Sequence, residues 1–254
     1  MLQIRWYALA YLAGLLLGWW LCASLAQRDP KNIIKAQHFG DFLGWAALGI
    51  VLGGRLGYCL LYQPDYYLNN PIEILYIWKG GMAFHGGFLG FGLATWFYAR
   101  THKLPFMQLA DYLAIAAPIG LFFGRLANFI NAELYGRASD VPWAVVFPIP
   151  YAGQSLYPMI PRHPSQLYEA LLEGLLLFAL LYVSHQNLNL RKYAGLVTGL
   201  FMAGYGSMRF FVEFFRQYDV LLPLIGGWMT HGQLYSLPLI AAGLGLSFYS
   251  LYKK

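Results

Sequence analysis

The length and composition of this chain indicate a membrane protein. Of its 254 residues, 59% are hydrophobic and 11% are charged, whereas about 25% of the residues in an ordinary soluble domain are charged. The formal net charge is +6, and basic side chains beside anionic lipid account for that excess without a nucleic-acid partner. Composition therefore argues against a large soluble domain and against nucleic-acid binding.

Seven apolar segments predict an all-α integral membrane protein, embedded in the bilayer as a single domain over residues 1–254. The segments cover residues 6–25, 42–62, 83–99, 112–128, 166–183, 195–215 and 233–251. Most of them approach the roughly 20 residues with which a helix crosses a hydrocarbon core. Their apolar runs are continuous, whereas the strands of a membrane barrel alternate apolar and polar residues. We therefore expect seven transmembrane helices.

The basic residues of the loops predict the orientation of the chain. Lys and Arg at positions 28, 31, 35, 100, 103, 191, 192, 253 and 254 fall on one side, and those at 5, 79, 137, 162 and 216 on the other. Because cytoplasmic loops carry the excess of Lys and Arg, we expect the N-terminus outside and the C-terminus in the cytoplasm. The first segment is longer than the roughly 7 to 15 apolar residues of a signal peptide, so we expect a retained helix.

Three polar side chains in the first three segments are candidates for a site. The hydroxyl of Tyr7 either lies in the membrane interface or turns toward a polar cavity. Arg55, in the sequence Gly-Gly-Arg-Leu-Gly, either snorkels to the headgroups or faces the inside of the bundle. His85 opens the third segment next to two glycines. An imidazole there either packs or transfers protons, and we expect a site role because ionisable groups at membrane depth usually serve function.

Residues 124–137, with the sequence GRLANFINAELYGR, are the main candidate for a functional site. They follow an apolar run that reaches membrane depth, where an unpaired charge is costly. In a helix, Arg125 and Asn128 lie on the same face. A planar guanidinium suits phosphate or carboxylate, which it binds through two parallel hydrogen bonds.

Residues 131–165 form the longest polar connection, with prolines too dense for a continuous helix. We expect this insertion to form a small outer head that covers the site. Glu169 and Glu173 then lie one turn apart at the start of the next helix, whose dipole favours a carboxylate there. The dipole accounts for one of these two carboxylates but not for both.

The sixth segment carries its own set of charges. Arg209 and Glu213 are four residues apart and Arg216 follows three residues later, a spacing that allows ion pairs along one helix face. The simplest interpretation is a self-neutralising pair inside the bundle. Removing one partner would strand a buried charge.

Together these motifs resemble the bacterial prolipoprotein diacylglyceryl transferase family. The motifs are His85-Gly86-Gly87, residues 124–137, residues 162–169 (RHPSQLYE), and Arg209 followed by residues 213–216 (EFFR). They lie in the family's order along nearly the whole chain. The resemblance implies an enzyme of the bacterial inner membrane that transfers the diacylglyceryl group of phosphatidylglycerol to the lipobox cysteine of prolipoproteins. Glycerol 1-phosphate leaves, and the reaction requires no metal or other cofactor.

The resemblance also implies roles for particular residues. Arg125 and Arg209 would hold the phosphate, and His85 would act as the base, with His163 and Glu169 as a competing base. The substrate-binding residues that it implies are Tyr7, Asn128, Glu133, Gly136, Arg137, His163, Glu169, Glu213 and Arg216. Glu213 would orient Arg209.

Two other classes of membrane protein compete with the enzyme. A transporter or flippase for an anionic lipid or another anion would also bury arginines, but we find no inverted repeat, and seven spans do not divide into equal halves. A purely structural scaffold would not require His85, Arg125, Glu133, Arg209 and Glu213 near one side of the bilayer.

Overall fold

The computed structural model describes residues 6–29, 33–148, 160–217 and 224–253, and in them the chain is helical without an extended strand. The helices are α1 (Trp6–Gln27), α2 (Ala36–Leu61), α3 (Pro64–Asn69), α4 (Phe84–Thr101), α5 (Phe106–Ile130), α6 (Ser165–Gln186), α7 (Leu188–Arg191), α8 (Leu196–Val212) and α9 (His231–Tyr252). Two 3-10 turns, Pro71–Leu75 and Ile77–Lys79, precede α4. The middle of α6, Ala170–Leu176, is π-helical.

The predicted all-α membrane architecture is confirmed in its outline. Among the described residues, five helices, α1, α2, α5, α6 and α9, are long and apolar enough to cross a membrane, and α8 is a shorter apolar helix. The chain is therefore a multi-pass membrane protein. The predicted segment 83–99 falls on α4, and the total of seven spans stays a prediction.

The sixth predicted segment, 195–215, extends too far. Its helix, α8, ends at Val212, because the following residues leave the helical path to pair with another loop. The carbonyl of Phe215 accepts a hydrogen bond from the backbone of Arg137 at 2.9 Å. Glu213 is the C-cap residue of α8, and Arg216 lies beyond the helix.

The described part of the 131–165 connection is irregular, as its prolines predict. Residues 131–148 and 160–164 form turns and isolated antiparallel bridges, such as those that join Ala138 and Val145 to Arg162. Residues 149–159 lie outside the described residues. The outer head therefore stays a prediction.

The chain divides into two compact units, residues 22–110 and residues 1–21 with 111–254. In the first of these, which we call the α2–α4 unit, the two long helices pack along small residues, including Gly53 and Gly90. Arg55 is buried in this unit, so the snorkelling interpretation is wrong. Its Nε donates to the carbonyl of Ile74 at 2.8 Å and its Nη2 to that of Glu73 at 2.6 Å. Arg55 therefore holds the loop at residues 63–82.

The second unit, which we call the α5–α9 unit, combines the start of α1 with α5, α6, α8 and α9. Asp111 ties the start of α5 to the start of α8. Its carboxylate accepts hydrogen bonds from the backbone of Gly195 at 2.7 Å and from the backbone of Thr198 at 2.8 Å. These N–H groups at the start of a helix have no partner inside it, so the Asp111 side chain stabilises α8.

Candidate active site

Three arginines and three glutamates meet inside the α5–α9 unit. Glu169 of α6 is at the centre: its Oε1 accepts from Nη1 of Arg209 and, at 2.7 Å, from Nη1 of Arg216. Its Oε2 lies 3.4 Å from Nε of Arg125. Because one carboxylate contacts three guanidinium groups, it fixes three separate parts of the chain relative to one another.

The other two glutamates complete this charge cluster, the arginines 125, 209 and 216 with the glutamates 169, 173 and 213. Glu213 lies 2.9 Å from Nη2 of Arg209 and 3.6 Å from Nε of Arg216. Glu173 lies 3.5 Å from Nη2 of Arg125. The three formal positive charges therefore face three formal negative charges.

The glutamates of the cluster are more deeply buried than its arginines. The side chains of Glu169 and Glu173 have 0% exposure, whereas those of Arg125, Arg209 and Arg216 keep 14–18%. A buried charge is tolerated only with a partner of opposite sign. The carboxylates are thus the inner, fixing layer, and the guanidinium groups are the layer that an anion from outside the cluster can reach.

Glu173 reaches Arg125 because α6 and α5 approach closely beside it. A Cβ on Gly174 would lie 2.7 Å from the Cβ of Phe122, so only glycine permits this approach. Glu173 also lies in the π-helical part of α6, and single π turns inside α-helices are frequent at functional sites. The helix dipole explains only one of the two carboxylates at the start of α6; the second, Glu173, has Arg125 as its partner.

A second group of polar side chains lies around Glu133. The Asn128 amide donates to the Tyr7 hydroxyl and, at 3.3 Å, to Oε1 of Glu133, which also accepts from the Asn131 amide at 3.3 Å. The structure thus brings together Tyr7, Asn128 and Glu133, three of the predicted substrate-binding residues.

The backbone around Glu133 is strained. Ala132 and Leu134, on either side of it, have φ values of 54° and 56°. Residues other than glycine rarely adopt this left-handed conformation, and such strain clusters at binding sites. The Gln166 amide donates to the Glu133 carbonyl at 2.7 Å, so α6 helps to hold the strained turn.

Three loop segments meet at Gly136. Its N–H donates to the carbonyl of His163 at 2.9 Å. A Cβ at this position would lie 2.5 Å from the Phe215 carbonyl oxygen and 2.6 Å from that of His163, so a side chain does not fit. Arg137 donates through Nε to the carbonyl of Arg216 at 2.9 Å. These contacts link residues 136–137 to the end of the charge cluster.

The two candidate bases have different surroundings. Nδ1 of His163 lies 3.1 Å from the Tyr168 hydroxyl, and its ring packs against Phe215. Glu169, its proposed partner in the sequence analysis, is engaged by arginines instead. His85 belongs to the α2–α4 unit, where it is an exposed residue in the first turn of α4.

An apolar groove of about 350 Å³ runs along the α5–α9 unit, between α6, α8 and α9. Its walls include Leu177, Leu181, Gly204 and Ile240, and it reaches Ser207, two residues before Arg209 in the sequence. In the described ranges, no group of three His, Cys, Asp or Glu side chains is arranged to hold a metal ion. The chemistry that this unit offers is anion binding by guanidinium groups.

Comparison with known proteins gives a consistent result. A family model described as prolipoprotein diacylglyceryl transferase matches residues 1–249. The chain is 52% identical to the phosphatidylglycerol--prolipoprotein diacylglyceryl transferase of Allorhizobium ampelinum, over 95% of this chain and 84% of that protein. It is 51% identical to the protein of the same name from Ruegeria pomeroyi, over 95% and 88% of the two chains. For that of Paramagnetospirillum magneticum, the identity is 50% over 98% and 90%.

Proposed function

The chain belongs to the prolipoprotein diacylglyceryl transferase family, and we propose that it transfers the diacylglyceryl group of phosphatidylglycerol to the lipobox cysteine of prolipoproteins. Phosphatidylglycerol and prolipoprotein are the two substrates that the names of its relatives state. Membership in this family favours an enzyme over the anion transporter or flippase that buried arginines alone would allow.

The charge cluster is the structural observation that best supports the proposed reaction. Arg125 and Arg209 keep 17% and 18% of their side-chain surface exposed while buried carboxylates fix their positions. Cationic donors that are fixed where negative charge develops stabilise a transition state without reorganising. The phosphate of the leaving group is the charge that these two arginines would stabilise.

The proposed reaction accounts for every bond formed and broken and for the proton of the thiol. The thiol of the lipobox cysteine loses its proton to a base, because the thiolate is the nucleophile. The sulfur then forms a bond to the terminal carbon of the diacylglyceryl group. The bond from that carbon to the phosphate oxygen breaks, its electron pair stays on the oxygen, and glycerol 1-phosphate leaves.

We assign the base to His85. A neutral imidazole accepts a proton near neutral pH, and His85 is exposed within its unit. The competing pair, His163 with Glu169, is less suited, since Glu169 is engaged by three arginines.

The remaining candidates would bind the headgroup. Asn128, Tyr7 and Glu133 form a hydrogen-bonded set, whose donors and acceptors suit the hydroxyl groups of the headgroup glycerol. Gly136, Arg137 and His163 would shape the wall of this pocket, since their backbones are linked to one another. Glu213 and Arg216 would keep Arg209 in position through the contacts of the cluster.

The apolar groove between α6, α8 and α9 would take an acyl chain. Its volume of about 350 Å³ lies within the roughly 300–1,000 Å³ of small-molecule sites. Leucine and isoleucine side chains line it, which suits a hydrocarbon chain.

We further propose a single catalytic domain over residues 1–254 in the bacterial inner membrane. Its N-terminus would be periplasmic, its C-terminus cytoplasmic, and residues 131–165 would form a periplasmic head over the site. The loop charges support this orientation. Positions 5, 31 and 254, which contribute to it, lie outside the described residues.

The test is a transfer assay with the purified protein. The protein is incubated with phosphatidylglycerol and a lipobox peptide, and the peptide is analysed by mass spectrometry. We expect the mass of one diacylglyceryl group to be added to the cysteine, and no addition to a control peptide with serine at that position. A wild-type protein that is folded but modifies neither peptide would contradict the proposed function.

A further inference from the structure

The three arginines of the charge cluster are not held equally. Arg209 lies 2.9 Å from Glu213 and makes a second, shorter contact with Glu169, and Arg216 lies 2.7 Å from Glu169. The contacts of Arg125 are longer, at 3.4 Å to Glu169 and 3.5 Å to Glu173. Arg125 is therefore the guanidinium group of this cluster that is most easily drawn to another anion, since hydrogen bonds weaken near 3.5 Å.

Glu173 is suited to hold Arg125 and to release it. Its side chain has 0% exposure, and Oε2 faces Arg125 while Oε1 accepts no hydrogen bond from any described residue. Glu169 and Glu213 also have one buried oxygen each without a hydrogen-bond donor among the described residues, but each of them contacts at least two arginines. The ion pair of Glu173 is the long contact with Arg125, so this carboxylate has less to lose when Arg125 moves away.

The charge balance of the cluster favours an exchange of anions at one arginine. Without substrate, its three arginines and three glutamates sum to zero formal charge. A phosphate therefore meets no excess positive charge. A phosphate can approach the exposed part of a guanidinium group, which has five N–H donors, but it then shares the charge of that arginine with a carboxylate. Arg125 has the longest contacts to its carboxylates, so a phosphate draws it away from them most easily.

We propose that Glu173 is a positioning residue that holds Arg125 when no substrate is bound and competes with the phosphate for it. This inference rests on the proposed function, in which Arg125 binds the phosphate. Glu173 thus lowers the affinity for phosphate at this site, including that of the product, glycerol 1-phosphate, and so favours product release. The close approach of α5 and α6 at Gly174 sets the distance between the two residues.

The variant Glu173→Gln tests the proposal, because it keeps the shape of the side chain and removes its charge. We expect inhibition by added glycerol 1-phosphate to tighten by about tenfold, since opposed charges at this distance couple by about 1.4 kcal/mol or more. The KM for phosphatidylglycerol should fall with it, and kcat should fall because the product leaves more slowly. A merely structural role also predicts a lower kcat, but with weaker and not tighter binding of glycerol 1-phosphate and phosphatidylglycerol.

Two further variants complete the experiment. Glu173→Asp keeps the charge but moves it one methylene away from Arg125, so its inhibition constant should lie between those of the wild type and Glu173→Gln. Glu73→Gln removes a carboxylate that pairs with Lys79 in the α2–α4 unit and should leave the inhibition constant unchanged.

The outcomes separate this inference from the proposed function. Glycerol 1-phosphate that binds Glu173→Gln no more tightly than the wild type, measured by calorimetry on folded protein, would overturn the inference. If that variant does not fold, Glu173→Asp decides by the same measurement: tighter binding supports the exchange, and equal or weaker binding contradicts it. A wild type that makes no thioether refutes the proposed function, whereas the binding comparison still tests the competition.

Discussion

Two arginines of this chain stand in similar sequences, Gly-Arg-Leu-Gly around Arg55 and Gly-Arg-Leu-Ala around Arg125, and their surroundings differ. Arg55 is 3% exposed and donates to backbone carbonyls of the loop at residues 63–82. Arg125 keeps 17% of its side chain exposed and faces two carboxylates. A neutral carbonyl that accepts a hydrogen bond from an arginine stabilises a loop. A carboxylate also neutralises the positive charge of the arginine, and an anionic ligand can replace the carboxylate in that role. The acceptors, and not the local sequence, distinguish the structural arginine from the candidate site arginine.

Substitution of Arg125 should have the largest effect. We expect Arg125→Ala to lower kcat for diacylglyceryl transfer by at least about a hundredfold, the usual loss when one fixed electrostatic donor is removed. Arg125→Lys should recover little, because an ammonium group cannot present two parallel donors to a phosphate. The measurement is the rate of thioether formation, with folding checked by thermal denaturation. If folded Arg125→Ala kept near wild-type turnover, Arg125 would not belong to the active site.

Glu169→Gln should affect both stability and activity. Glu169 is fully buried and contacts three guanidinium groups. Removing one partner of a buried ion pair costs about 3–5 kcal/mol, since it leaves an uncompensated charge. We expect a clearly lower thermal midpoint in detergent and a loss of transfer activity. An unchanged midpoint would mean that water, and not Glu169, compensates the arginines.

Gly136→Ala tests the loop contacts next to the cluster. Its new Cβ would lie 2.5 Å from the Phe215 carbonyl oxygen, and overpacking of this kind costs about 1–3 kcal/mol. Because the loop end at Arg216 must shift, we expect transfer to fall by about tenfold or more, as small misplacements at a site have large effects.

Gly124→Ala is the matched control for Gly136→Ala. It lies in the same run of sequence, residues 124–137, but nothing lies within 4 Å of its Cβ position. Inside a helix, alanine is favoured over glycine by up to about 1 kcal/mol. We therefore expect full activity and an equal or higher thermal midpoint; equal losses in both variants would show that Gly136 has no special role.

Features that depend on local spacing could be predicted from the sequence. The helices follow from their apolar runs, and the pair of Arg209 with Glu213 follows from their separation of four residues. Tyr7, Asn128 and Glu133, which the resemblance implies as substrate-binding residues, form one hydrogen-bonded set, and their role in binding stays a prediction.

Features that depend on how separate helices approach could not be predicted. The contact between Arg125 and Glu173 joins residues far apart in the sequence, and it depends on the fit of Gly174 against Phe122. The backbone strain at Ala132 and Leu134 leaves no signal in residue type, since neither residue favours a positive φ. The role of Arg55 could not be predicted either. Its partners are backbone carbonyls, which every residue has, so no residue type in the sequence indicates them.

Arg55→Ala should have the smallest effect on catalysis and a distinct effect on the loop. Its loss leaves the carbonyls of Glu73, Ile74 and Gly80 without their donor. Each unsatisfied carbonyl costs about 1–3 kcal/mol if it stays buried, so the loop should open more often. Since cleavage follows the population of the open form, we expect trypsin to cut after Lys79 about tenfold faster, while kcat changes by less than about threefold.

Glu73→Gln breaks the exposed pair with Lys79 but keeps the backbone contact with Arg55, so its cleavage should stay near the wild-type rate. If Arg55→Ala instead lost activity as completely as Arg125→Ala, both arginines would belong to the site, and the distinction by acceptor type would be wrong.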